Sequence, residues 1–271
     1  KNTIFDYVQF AKDELRKLVE QRAFEYGITS DKVAQENLTV VNGRVLSRSE
    51  REQRDALITN IKNNQENKGF SHGFDVVMEE VSYTWFNRFI ALRFMEVNGY
   101  LPSHTRVFSD ENGRFNPQIL KEALTLDLYG LDRVKVSDLL QSNKNEDLFK
   151  YLIITQCNAL SKPMPKMFEK ISDYTDLLFP NNLLKKGSII DRLVTDIPEE
   201  DWKDQVQIIG WMYQFYVETN RQKYRQEKVV TKKHIPTLSQ IFTPDWIVRY
   251  MSENSIGRLW LESNPASTIK T

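Results

Sequence analysis

One stretch decides most of what this chain can fold into: VVMEEVSYTWFNRFIALRFMEVNGY, from Val76 to Tyr100. At 3.6 residues per turn, Val81, Trp85, Arg88, Phe89 and Leu92 share one face, and Phe86, Ile90 and Phe94 widen it. A helix apolar over so much of its circumference has to be covered from several sides, so it demands a shell of further elements. GFSHGFD, from Gly69 to Asp75, reads as the glycine-bearing turn before it, and Asn98-Gly99 as its end.

The neighbouring segments can supply that shell. Thr3 to Tyr26 reads as one helix that buries Ile4, Phe5, Val8, Ala11, Leu15, Leu18, Val19 and Ala23 and stops at Gly27. In NLTVVNGRVL, Asn42-Gly43 sits between β-formers, which is the signal for a small hairpin. Ser47 with Glu50 forms a capping-box pattern opening a helix with Ala56, Leu57 and Ile61 on one side. Leu101 to Asn116 is polar and reads as a long surface loop. A helix is expected from Pro117 to about Leu128, with two short ones starting near Ser137 and Glu146, and KPMP at Lys162 to Pro165 breaks the chain. Ile197-Pro198-Glu199-Glu200-Asp201 reads as the start of the longest late helix, its acids at the positive end of the dipole. With no βαβ rhythm, heptad run or repeat, the expected fold is mainly α, an irregular multi-helix domain.

Composition excludes several function classes. With 37 basic and 37 acidic side chains, net charge favours neither nucleic acid nor membrane, so any electrostatic preference has to be local. No apolar run approaches the roughly 18 residues of a spanning helix, and KNTIFDYVQF has no signal-peptide pattern. The single cysteine, Cys157 in YLIITQCNAL, rules out an internal disulfide framework and reads as a buried thiol in a reducing, cytoplasmic setting. His72, His104 and His234 are scattered without metal-ligand spacing, so no metal site is expected. Glu79-Glu80 and Glu199-Glu200 are adjacent pairs that do not share a helix face. There is no GxSxG, P-loop or GxGxxG, hence no catalytic constellation in these residues.

Two late segments remain. RQKYRQEKVVTKKH, 221–234, gathers Arg221, Lys223, Arg225, Lys228, Lys232 and Lys233 against Glu227. It reads either as a nonspecific phosphate contact or as a solvated helix end whose charges suit the C-terminal dipole. In LSQIFTPDWIVRYMSENSIGRLWLE, 238–262, Thr243 is placed to cap and Pro244 to start a helix. Ile247, Val248, Met251, Ser255, Ile256, Leu259 and Trp260 give that helix an apolar face. Its N-terminal amides suit a carboxylate or phosphate, or serve as a purely structural cap.

IFTPDWIVRYMSENSIGRLWLE, together with SYTWFNRFIALRFMEVNGYLP, resembles the N-terminal region of BREX-type adenine-specific DNA methyltransferases of the PglX group. These are similar to the type II restriction N6-adenine methylases. The resemblance implies that Phe242, Thr243 and Pro244 form the aromatic-Thr-Pro loop lining the S-adenosylmethionine site, just before a Rossmann-like domain. Trp85, Asn87 and Arg88 are landmarks of the group to which it attaches no role. It further implies that the glycine-bearing cofactor loop and the Asn/Asp-Pro-Pro-aromatic motif, which holds a flipped adenine, lie beyond this chain. Asn264-Pro265-Ala266 lacks the second proline and the aromatic. The expectation is therefore an N-terminal fragment without activity of its own and without stable cofactor binding. Residues 1–235 would be a helical domain, subdivided near 162–198, and 236–271 would lead into the absent catalytic domain. In the full-length parent the partners are S-adenosylmethionine and double-stranded DNA. The other reading is a protein-interaction module docking defence-system subunits or phage inhibitors.

Overall fold

The computed structural model describes residues 2–32, 34–169, 173–226, 232, 235–239 and 241–269. It is mainly helical, 60% helix against 3% strand, as the lack of alternating patterns requires. Two compact units follow one another along the chain, Lys1–Asp204 and Gln205–Thr271.

In the first unit, α1 (Asn2–Glu25) ends at Gly27, whose φ of +69° turns the chain. A hairpin follows, β1 (Val40–Val41) and β2 (Arg44–Val45), with Asn42 and Gly43 both at positive φ as a type I′ turn needs. α2 (Arg48–Asn63) carries the expected capping box: Glu50 N–H donates to Ser47 Oγ at 3.2 Å, and Ser47 N–H to Glu50 Oε2 at 2.9 Å. α3 (Phe70–Val97) is the axis, packed on both α1 and α2. From Trp85 to Glu96 only Asn87 and Phe94 escape full burial.

α3 starts earlier than its glycines suggest. Gly69 makes the turn at φ +87°, but Gly73 lies inside the helix. A Cβ at Gly73 would fall 2.1 Å from the Ile61 carbonyl oxygen, so this glycine marks a close crossing with α2 and not a break.

The chain then runs through α4 (Gln118–Lys121), α5 (Arg133–Gln141), α6 (Asn145–Leu160), α7 (Tyr174–Leu177) and α8 (Ile189–Thr195), the last lying on α1 and α3. α4 is far shorter than expected. Its entry is tied to the preceding loop, with Gln118 N–H donating to Ser109 O and Ile119 N–H to Arg106 O, and Leu126 and Leu128 are buried from irregular chain beyond it. The cap of α5 is Asp132, ahead of Ser137, accepting from Val134 N–H at 2.9 Å. An edge-to-face chain of rings ties these pieces to α3: Trp85 with Phe179, Phe89 with Phe108, and Phe108 with Phe149. Cys157 on α6 is fully buried, and burial pushes its thiol up to about 12, as fits an inert core residue.

Residues 101–116 are not the surface loop that their polarity suggests. Leu101, Thr105, Val107, Phe108 and Ser109 are buried. The fully buried Glu96 carboxylate accepts from the Val107 and Phe108 amides at 2.7 and 2.8 Å, and from Arg93 and Ser109. Arg106 pairs with Glu199, whose carboxylate also lies 3.3 Å from Arg93 Nη2. Two arginines and two glutamates thus balance inside the unit. The acids at 199–201 accordingly do not open an α-helix. They form a 3₁₀ turn, and Glu199 faces inward to Arg106.

Candidate functional site

The second unit holds both late segments. α9 (Gln207–Gln226) buries Ile208, Met212 and Tyr216 at a spacing of four, while Arg221, 4% exposed, is buried on a different face of the helix. Arg221 Nε donates to the Thr237 carbonyl at 3.0 Å and Nη1 pairs with Glu218 at 3.1 Å, which pins α10 (Ile235–Ser239) to α9. Its guanidinium thus has a structural task. Arg225, in the last turn of α9, and Lys232, in the following turn, are exposed. The Lys223 side chain, Lys228 and Lys233 lie outside the described residues.

The Phe242-Thr243-Pro244 loop is built onto the face of α9 that carries Arg221, away from the Ile208, Met212 and Tyr216 stripe. Gly210 and Gln214, one turn apart, form the seat. The Phe242 ring occupies the space a side chain at 210 would need, since a Cβ there would be 2.0 Å from Cε2. The Phe242 N–H donates to Gln214 Oε1 at 3.3 Å. Thr243 and Pro244 follow, both exposed.

The next helix, α11 (Asp245–Ser252), starts one residue later than expected: Pro244 is its N-cap and Thr243 makes no side-chain cap. The Pro244 carbonyl accepts from Ile247 and Val248, and Asp245 supplies negative charge in the first turn. The helix runs on through a π-helical turn (Glu253–Gly257) into α12 (Arg258–Ser263). Ser255 Oγ donates back to the Met251 carbonyl at 2.6 Å just there, a bond that competes with the regular ladder.

Arg249–Glu253 and Arg258–Glu262 pair one turn apart along this helix. Its apolar residues are uncovered within the unit: Trp246 is 70% exposed, Ile256 75% and Leu259 64%, with Tyr250, Met251 and Trp260 also more than half exposed. So many exposed large side chains on one helix mark a surface that fits against something else. Among the described residues there is no cluster of three His, Cys, Asp or Glu that could hold a metal ion, and no helix is long and apolar enough to cross a membrane.

The chain is 36% identical over 279 residues to the adenine-specific methyltransferase BrxX of Escherichia coli O9:H4 (strain HS), an alignment covering 99% of this chain and 22% of BrxX. Its kinship is with the N-terminal region of BREX-type methyltransferases. The adenine-specific methyltransferase PglX of Lacticaseibacillus casei (strain Zhang), from the same group, is 35% identical over 281 residues, covering 96% of this chain and 23% of PglX. The chain thus spans less than a quarter of the length of these BREX-type relatives. No protein-family profile matches it.

Sequence reasoning missed two features, one in each unit. The cluster of buried Arg93 and Glu96 with half-buried Arg106 and Glu199 had a single local cue, the spacing of three between Arg93 and Glu96 on an otherwise apolar helix. Gly210, inside an apolar helical run, has its reason in the Phe242 ring, more than thirty positions further along the chain.

Proposed function

We propose that this chain is the helical N-terminal part of a DNA N6-adenine methyltransferase of a phage-defence system, preceding a Rossmann-like catalytic domain. Phe242, Thr243 and Pro244 form one wall of its S-adenosylmethionine site, and residues 236–271 lead into the catalytic part. The observation that supports this reading is the built loop itself. Phe242 is locked on Gly210 and Gln214, so Thr243 and Pro244 are held exposed at the head of a helix whose apolar residues await a cover. A half-buried ring beside a hydroxyl suits the adenosine end of such a cofactor. The cofactor, when bound, supplies an activated methyl group, while this chain's own contribution is to position that wall. Catalysis on the adenine belongs to residues outside this chain.

In the full-length protein, the double substitution Thr243→Ala/Pro244→Ala is expected to weaken S-adenosylmethionine binding about tenfold, roughly 1.4 kcal/mol. Gly210→Ala, which evicts the Phe242 ring without touching the loop sequence, should act in the same direction while helical content is kept. Calorimetric titration of the cofactor checks both, and an affinity equal to wild type in each would refute the cofactor-wall role.

DNA is the second component of the proposal. Arg225 and Lys232, with Lys223, Lys228 and Lys233 of the same tract, contact the phosphate backbone without reading sequence. Binding of this chain to duplex DNA at low salt should then be sequence-independent. Neutralising Arg225 and Lys232 should flatten the log–log salt dependence by about one for each DNA phosphate that is no longer neutralised. No detectable binding at low salt would end the DNA assignment for this tract. A large exposed apolar patch on the 75–97 helix would favour the alternative, a docking module for other defence-system proteins; α3 exposes Val76 alone among the described large hydrophobics of that stretch.

A further inference from the structure

The first unit contains a cleft of about 750 Å³ walled by α5, α6 and the turn at Tyr129-Gly130, far in sequence from the residues discussed above. Its size is within the roughly 300–1,000 Å³ of small-ligand sites. Two tyrosine rings line it, each with a lysine ammonium over its face: Lys135 Nζ is 4.3 Å from the Tyr151 centroid and Lys162 Nζ 4.7 Å from that of Tyr129. Tyr151 is held in place, its hydroxyl accepting from the Asp132 amide at 2.8 Å beside the cap of α5. Ile154 adds apolar surface between the polar residues.

The charges in the cleft are not balanced. Lys150 on the wall is paired with Asp176 at 2.8 Å, and burial lowers its pKa. Among the described residues, neither Lys135 nor Lys162 has a carboxylate at ion-pair distance, and Asp147 is the other acid in the lining. A ligand that uses both the rings and the two lysines needs a flat π-system and an anionic group in one molecule. A bare anion would engage the lysines alone, and an uncharged apolar ring the tyrosines alone.

We propose that the α5–α6 cleft binds a nucleotide, its base against Tyr129 and Tyr151 and its phosphate held by Lys135 and Lys162. Base–aromatic stacking tolerates any base, so the site would take a nucleotide by class and not by sequence. The proposal stands apart from the cofactor-wall reading, because none of its residues belongs to the second unit.

The test titrates this chain with dAMP, with a short single-stranded oligothymidylate and with inorganic phosphate. Saturable binding of dAMP or of the oligonucleotide is expected, weakened tenfold or more in Lys135→Glu/Lys162→Glu, whose exposed positions leave the fold unchanged by circular dichroism. Tighter binding of dAMP assigns the site to a free nucleotide, and tighter binding of the oligonucleotide assigns it to a strand. Three results each overturn the proposal: neither ligand binds, phosphate alone binds as tightly as dAMP, or the charge-reversed protein binds as well as wild type.

Discussion

Replacing Glu96 with alanine is expected to destabilise the first unit by about 3–5 kcal/mol, the cost of stranding a buried charge by removing its partner. Against a typical total of about 5–15 kcal/mol, that would bring a unit at the low end of the range close to its unfolding midpoint at room temperature. The loss has two parts. Arg93, fully buried, loses its nearest carboxylate and keeps only Glu199 at 3.3 Å. The amides of Val107 and Phe108 lose their acceptor in a place that water does not reach. A further variant separates these parts. Arg93→Met/Glu96→Leu removes both charges but still orphans the two amides, so it should recover only part of the stability. Equilibrium denaturation followed by helicity makes the comparison, and a Glu96→Ala protein within about 1 kcal/mol of wild type would show that the cluster is not a keystone.

Trp85→Ala is expected to cost a similar amount, about 3–5 kcal/mol, by a different route. The Trp85 ring is fully buried at the meeting of α3, α7 and the Phe179 turn, packed edge-on to Phe179 with centroids 4.7 Å apart. Its Nε1 donates to the Thr175 carbonyl at 3.2 Å, and the Arg88 guanidinium lies over the ring at 5.2 Å. Alanine leaves a cavity, an unpaired carbonyl and an arginine without its ring. Trp85→Phe keeps most of the packing and loses the hydrogen bond, so its cost should be well under half as large. Equal denaturation midpoints for the alanine and phenylalanine variants would contradict this account. The landmark status of Trp85 in the resemblance thus has a packing explanation in this chain.

What could be read from the residues was whatever is decided locally. The capping box at Ser47 and Glu50, the Asn42-Gly43 turn and the all-round apolar character of 81–94 each depend on neighbours within a few positions. The misreadings share a cause of the opposite kind. Gly73 looked like a turn because its reason, the Ile61 carbonyl, lies on another helix. Leu101 to Asn116 looked solvated because the partners that allow it inside, Glu96 and Glu199, stand outside the loop. Glu199 looked like a helix-dipole residue because Arg106 is 93 residues away. At the candidate site, the residues of 242–244 alone could not distinguish a cap from a cofactor loop, and the resemblance supplied that role. The α5–α6 cleft had no motif at all, since its walls come from single residues spread over 129–176.

The way the C-terminal end of α3 is tied down has a consequence for how the protein is made. Asn98, which follows the last turn of α3, donates to the Trp202 carbonyl 104 residues later and accepts from the Asp204 amide 106 residues later. During synthesis, at about 5–20 residues per second, the most apolar helix of the chain therefore waits roughly 5–20 s for the segment that closes its end. Over that interval the nascent chain presents an unfinished hydrophobic surface at the end of this helix, which closes once residues 199–204 have arrived. Growth temperature and chaperone supply should accordingly govern soluble yield more than the helical propensity of any single segment.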